Sequence, residues 1–155
     1  MKHITVNTYR EDKYYPRVVK AVGKILACAD VVAPSDILIE MGNLSKKNYE
    51  AWRKGQVPYL EQVFEGSLSK ANRILRIIGF HLHDLNMVSR QTVYYQRGKG
   101  KNRVLRFSKS GNSNIEKAYS RYYVWNQSQE KKLKAINKAM PEHIDAPDDY
   151  SAGAK

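Results

Sequence analysis

The tripeptide His81-Leu82-His83, followed by Asp84, sets two imidazoles around an apolar residue. On a strand that spacing brings both rings to one face, where they can hold a divalent metal while a downstream tyrosine, Tyr119, Tyr122 or Tyr123, attacks a phosphodiester. The surrounding residues, however, repeat at three and four positions, and on a helix His81 and His83 point about 200° apart. They then cannot share a metal, and the expectation is a pair of histidines in the last turn of a helix. No Ser-His-Asp set, paired carboxylates or glycine-rich dinucleotide loop accompanies them, and GxxxxGK[ST] is absent. No catalytic residue, metal ligand or cofactor is expected.

The stronger chemistry is that of anion binding. The formal charge is +12, from 27 Lys and Arg against 15 Asp and Glu, and the excess is local. Residues 85 to 115 hold Arg90, Arg97, Lys99, Lys101, Arg103, Arg106 and Lys109 and no carboxylate, so their field is not cancelled within the segment. Four of these charges crowd the connector Gly98-Lys99-Gly100-Lys101-Asn102 and its flanks, where mutual repulsion is relieved by an incoming polyanion. Lys and Arg so placed suit phosphate oxygens, giving affinity and register without reading bases. The plainer role of such a loop is a solubilising turn on an edge hairpin. Further on, Ser108-Lys109-Ser110-Gly111-Asn112-Ser113 precedes a helix and suggests either an anion nest or a turn with an N-cap.

Two other basic clusters are candidates to enter a groove. Lys46, Lys47, Arg53 and Lys54 lie on a helix that follows a short helix and the turn Gly42-Asn43-Leu44, the layout of a helix-turn-helix. Lys70, Arg73 and Arg76 form a ridge at spacing three on the helix before the hairpin, the position a winged helix would use, or else a plain solvated face. Residues 141 to 155 reverse the sign with Glu142, Asp145, Asp148 and Asp149, an acidic tail able to compete for the basic face.

The elements that must carry these residues follow from periodicity. Residues 16 to 29 place Val18, Val22, Ile25, Leu26 and Ala29 on one helical face, with Cys28 a small core residue. Short helices are expected over 35 to 41, ended by Gly42, over 46 to 54, capped by Ser45, and from Pro58 to 64. The longest helix runs from 68 to 85 with the stripe Ala71, Leu75, Ile78, Leu82 and Leu85. The period then falls to two in 92 to 97 and 103 to 108, a hairpin whose Val93, Tyr95, Leu105 and Phe107 are expected to face the core, leaving Tyr94, Gln96 and Arg106 outside. A helix bearing Ile115, Ala118, Tyr119, Tyr122 and Tyr123 follows. The organisation is a compact domain over 1–125, a Lys-rich helical extension over 126–140 and a flexible tail over 141–155.

The 155 residues, 42% hydrophobic, suffice for one core. A mean hydropathy of −0.63 with no run of about 20 apolar residues excludes a spanning helix, and one cysteine excludes a disulfide scaffold or Cys-rich zinc module. The start has no apolar stretch long enough for a secretory signal, so the cytoplasm is the expected compartment.

Ser35-Asp36-Ile37-Leu38-Ile39-Glu40-Met41-Gly42, Leu44-Ser45, Tyr49-Glu50, Trp52-Arg53, Gly55, Val57-Pro58-Tyr59-Leu60-Glu61 and Arg106-Phe107-Ser108-Lys109-Ser110-Gly111 resemble a set of small uncharacterised bacterial proteins. That resemblance spans most of residues 15 to 125; it implies one compact domain in a bacterial setting and carries no functional residue across. The His81 tripeptide with its downstream tyrosine resembles the histidine-hydrophobe-histidine endonucleases and small transposases, which would imply metal-dependent nicking of single strands.

The expected fold is α+β, a mostly helical single domain with a helix-turn-helix-like pair and one basic β-hairpin in a winged-helix-like arrangement. The expected function is binding of duplex DNA, mainly through phosphates, in a regulatory or accessory role. Alternatives are a subunit that docks an acidic protein, with the tyrosines and Trp125 as anchors, an RNA-binding protein, and the His/Tyr nuclease. No membrane partner is expected.

Overall fold

The computed structural model describes residues 3–98 and 103–141. Lys99 and Lys101 of the loop, and the acidic tail beyond Pro141, lie outside the described residues. Among the described residues, six α-helices and a three-stranded antiparallel sheet make an α+β fold. No described helix is long and apolar enough to cross a membrane.

A 3-10 turn at Tyr9–Glu11 leads into α1, Tyr15–Leu26, whose Pro16 sits in the first turn, where its missing N–H costs nothing. Val18, Val22 and Leu26 are buried as the period requires. The helix ends at Leu26, so Ala27, Cys28 and Ala29 leave its register and stand exposed; Cys28 is not the core residue expected. After β1, Val31–Val32, comes α2, Pro34–Met41, where the Asp36 carboxylate accepts the Ala33 N–H at 3.2 Å and Gly42 closes the helix at φ +83°. Helix α3, Lys46–Arg53, starts on Ser45, whose Oγ accepts the Asn48 N–H. Residues expected as a helix from Pro58 form only a 3-10 turn, Leu60–Val63.

Helix α4, Leu68–Asp84, is capped by Ser67 and buries Ala71, Ile74, Leu75, Ile77, Ile78 and Leu82. Gly79 does not interrupt it. Strand β2, Val88–Gln91, precedes α5, Ser113–Ser120, β3, Arg121–Val124, and α6, Gln129–Ala139. The sheet order is β1-β3-β2, with Val31 opposite Val124 and Ser89 opposite Tyr123.

Here the helical expectation for Tyr122 and Tyr123 fails: α5 stops at Ser120 and the tyrosines join the central strand. Their aromatic and β-branched run, Tyr122-Tyr123-Val124, suits a strand, and pairing on both sides stabilises it over helix continuation. Helix α6 packs on α1 and contributes Ile136 to the core cluster, joined by Met140 just after it, while Lys132 reaches Asp30 at 2.7 Å.

Candidate nucleic-acid interface

Residues 93–98 and 103–106 form a two-stranded ribbon outside the sheet, bridged at Tyr95 and Val104. The Gln96 N–H donates to Arg103 O and the Leu105 N–H to Tyr94 O, both at 2.8 Å. Cross-strand partners share a face, and this register decides which one. Leu105 and Phe107 are buried as expected, but their inward neighbour is Tyr94; Val93 and Tyr95 point outward with Val104. The expected facing of the first strand is therefore reversed. Its period of two is equally satisfied by either face, and only pairing with the second strand selects.

Tyr94 lands on an aromatic cluster. Trp52, fully buried in α3, lies 4.7 Å from Phe107 and 5.8 Å from Tyr94, ring centre to ring centre, and Phe107 stacks on Tyr119 at 5.1 Å. The Trp52 indole N–H donates to Arg106 O at 2.8 Å, so the same side chain anchors the ribbon by packing and by hydrogen bonding. Burial pushes the Tyr94 phenol up to about 12, and pushes up the Tyr119 phenol, which donates to Glu61 at 2.8 Å.

The end of α3 and the ribbon are tied together by charged residues. The Arg97 N–H donates to Arg53 O at 2.8 Å, and the Arg97 guanidinium pairs with Glu50 at 2.9 Å. Arg103 donates to Gly55 O at 3.4 Å, and the Arg53 guanidinium lies 4.9 Å from the centre of the Tyr94 ring. Gly55 has φ +79°, a left-handed backbone that favours glycine, and a Cβ there would push aside only the movable end of the Gln96 side chain. The C-terminal end of α3 thus meets Arg97 and Arg103, far away in sequence, in one junction. Lys46, Lys47, Lys54 and Arg103 differ from Arg53 in one respect: the four are exposed, whereas Arg53 is half-buried.

Arg106 is exposed yet fixed, donating to Ser108 O at 2.7 Å and to Lys109 O, with its guanidinium 5.5 Å from the Tyr59 ring centre. Lys109 is exposed beside it. The anion nest expected in this stretch is already filled by the chain itself. Glu116 accepts the N–H groups of Phe107 and Ser108 and the Ser108 hydroxyl, Glu61 accepts the Lys109 N–H, and the Gly111 N–H goes to Ser108 Oγ. Asn112 caps α5 by accepting the N–H groups of Asn114 and Ile115. The turn with an N-cap describes the segment, and Glu61 and Glu116 hold it in place without having been singled out by sequence reasoning. A carboxylate set directly after the apolar pair Tyr59-Leu60 was the available signal for Glu61.

The α4 ridge is used differently. Arg73 pairs with Asp12, Arg76 donates through Nη2 to Ile4 O at 3.0 Å, and the Lys70 ammonium lies 5.4 Å from the Tyr14 ring centre. These three cations staple residues 4 to 14 to the helix.

His81 and His83 diverge around α4 as helical spacing dictates. His81 is 6% exposed, set edge-on to Tyr15, and burial lowers its imidazole to about 4; His83 is exposed. Tyr119 and Tyr123 are buried, and the described residues contain no group of three or more metal-ligating side chains. Trp125, considered as a partner anchor, is buried with its N–H donating to Ser128 O at 3.3 Å. Comparison with protein-family models, curated proteins and solved structures returned no match.

Proposed function

We propose that the chain binds duplex DNA, chiefly through phosphates, on the surface shared by α3 and the ribbon of residues 93–98 and 103–106, in a regulatory or accessory role. In this reading α2 and α3 act as a helix-turn-helix-like pair and the ribbon as a wing. The observation that carries it is the Arg97 bridge, which joins the ribbon to α3 at Arg53 and Glu50 and unites two basic clusters that the sequence keeps apart. A second feature supports it: Lys46 and Lys47 open α3 with no carboxylate in the first turn, where the positive helix end disfavours them. Residues that weaken their own helix are better explained by an anionic partner than by stability. Lys46, Lys47, Arg53 and Lys54 approach the groove, and Arg97, Arg103, Arg106 and Lys109 contact the backbone; Lys99 and Lys101 join them from sequence alone.

Fluorescence anisotropy with a short labelled duplex tests the reading. Six or more phosphate contacts should weaken binding roughly a thousandfold between about 50 and 200 mM salt. Absence of binding at low salt, or affinity indifferent to salt, ends it. Tighter binding of structured RNA than of duplex DNA would move the function to RNA. One observation favours a second reading, an acidic protein partner: the surface already accepts a carboxylate, that of Glu50 on Arg97. Displacement of bound duplex by polyglutamate at matched charge concentration would favour that partner.

A further inference from the structure

Seven large apolar side chains are exposed among the described residues, and three of them, Val93 at 49%, Tyr95 at 51% and Val104 at 59%, stand together on the outer face of the ribbon. The other four, Val6, Val31, Leu68 and Leu133, belong to separate elements or segments. Tyr95 and Val104 are bridge partners, so their side chains lie side by side. Val93 shares their face two residues before Tyr95, Arg106 two residues after Val104, and Arg97 two residues after Tyr95. The result is an apolar strip with an arginine position toward each end, on a ribbon whose other face is already committed to Trp52.

The partner of such a strip must be anionic at its margins and apolar between them. The segment from 85 to 115 carries no carboxylate of its own, and on the outer ribbon face, among the described residues, only Glu50, paired with Arg97, offsets its positive charge, which is complementary to phosphate. The minor groove of duplex DNA offers this combination, with phosphates on both rims and deoxyribose C–H groups on its walls. The minor groove of an RNA duplex lines the same space with 2′-hydroxyls, which an apolar face would dehydrate without replacing their hydrogen bonds. A two-stranded ribbon is also wider than the unperturbed minor groove, about 6 Å across, so entry requires opening the groove and bending the duplex away from the protein.

We propose, resting on the DNA-binding reading above, that the strip formed by Val93, Tyr95 and Val104 enters the minor groove of duplex DNA, wedges it open and bends it. Arg97 and Arg106 then meet the phosphate rims, and DNA is preferred to RNA through the apolar contact.

The test uses the full chain and an A·T-rich duplex carrying a donor and an acceptor dye at its two ends. Bending appears as a rise in energy transfer on saturation. Tyr95→Ser together with Val104→Ser should abolish that rise while leaving salt-sensitive binding, and the exposure of both residues means circular dichroism and the melting temperature should match the parent. Netropsin, which fills the minor groove, should displace the protein. Retained bending in the double variant, or binding undisturbed by netropsin, would overturn the inference while the DNA-binding reading stands. No binding of any duplex at low salt would overturn both.

Discussion

Two basic regions of this chain have similar composition and opposite uses. On α4, Lys70, Arg73 and Arg76 hold down residues 4 to 14 through Tyr14, Asp12 and the Ile4 carbonyl. On α3 and the ribbon, Trp52, the backbone and the Arg97–Glu50 pair make the attachment, and Lys46, Lys47 and Lys54 are left exposed. Charge at helical spacing is therefore no guide to function until its partners are known. A cation that staples its own chain should matter to stability, and one that faces water should matter to binding.

The sharpest way to break this division is at the anchor. Trp52→Ala should destabilise the protein by about 3 to 5 kcal/mol in urea unfolding, because it removes a fully buried indole and its hydrogen bond to the Arg106 carbonyl, which keeps only the Leu60 N–H. A smaller loss would mean that the ribbon is not held by α3.

Next in size is a pH effect centred on α4. The His81 imidazole is lowered from 6.5 to about 4 by burial, with Asp84, Arg10 and Lys138 as its charged neighbours. The unfolded chain thus binds the extra proton first, and stability that is complete above pH 6.5 should fall by about 3 kcal/mol as pH drops to 4. Unfolding measured across that window should show this loss in the parent and much less of it in His81→Asn. Equal loss in both proteins would assign the effect elsewhere.

The staple comes third. Arg73→Met leaves the nearly buried Asp12 carboxylate without its guanidinium, and should cost about 2 kcal/mol, below the range for a fully buried pair because the Arg73 side chain keeps 22% of its surface in water. Duplex affinity should not change. A fall in affinity with intact stability would place α4 in the interface and erase the contrast between the two regions.

The smallest stability effect, and the most diagnostic binding effect, belongs to Lys54→Ala and Arg103→Ala. Each should stay within about 0.5 kcal/mol of the parent in stability. Each substitution removes one cation from the DNA-facing surface, and the loss of Arg103, which contacts the backbone, should reduce the slope of log affinity against log salt by about 1. Slopes unchanged in both would leave the α3–ribbon surface without a role in binding.

Much of the helical scaffold is legible in the sequence. Ser45 and Gly42 mark helix ends because capping is a local matter of one side chain or one φ angle, and the α4 stripe follows from a period that a helix alone satisfies. The candidate site is legible only as residue types. Neither the commitment of Arg73 and Arg76 to the N-terminal segment nor the filling of the 107–109 amides by Glu61 and Glu116 leaves a local mark, since each joins positions tens of residues apart or depends on a turn that forms only when the core does.

The sequence by itself determined most of the helical framework, the charge and its concentration in a carboxylate-free stretch, and the divergence of His81 from His83, all of which depend on composition or near-neighbour spacing. Tertiary structure alone decided that Tyr122 and Tyr123 enter a strand, that Cys28 is outside, and that Tyr94 rather than Tyr95 turns inward. A run of alternating residues is compatible with either face, and an aromatic run with helix or strand. The choice belongs to the partner that pairs with it, here the Leu105 strand and the Trp52 cluster for the ribbon, and β1 and β2 for the sheet.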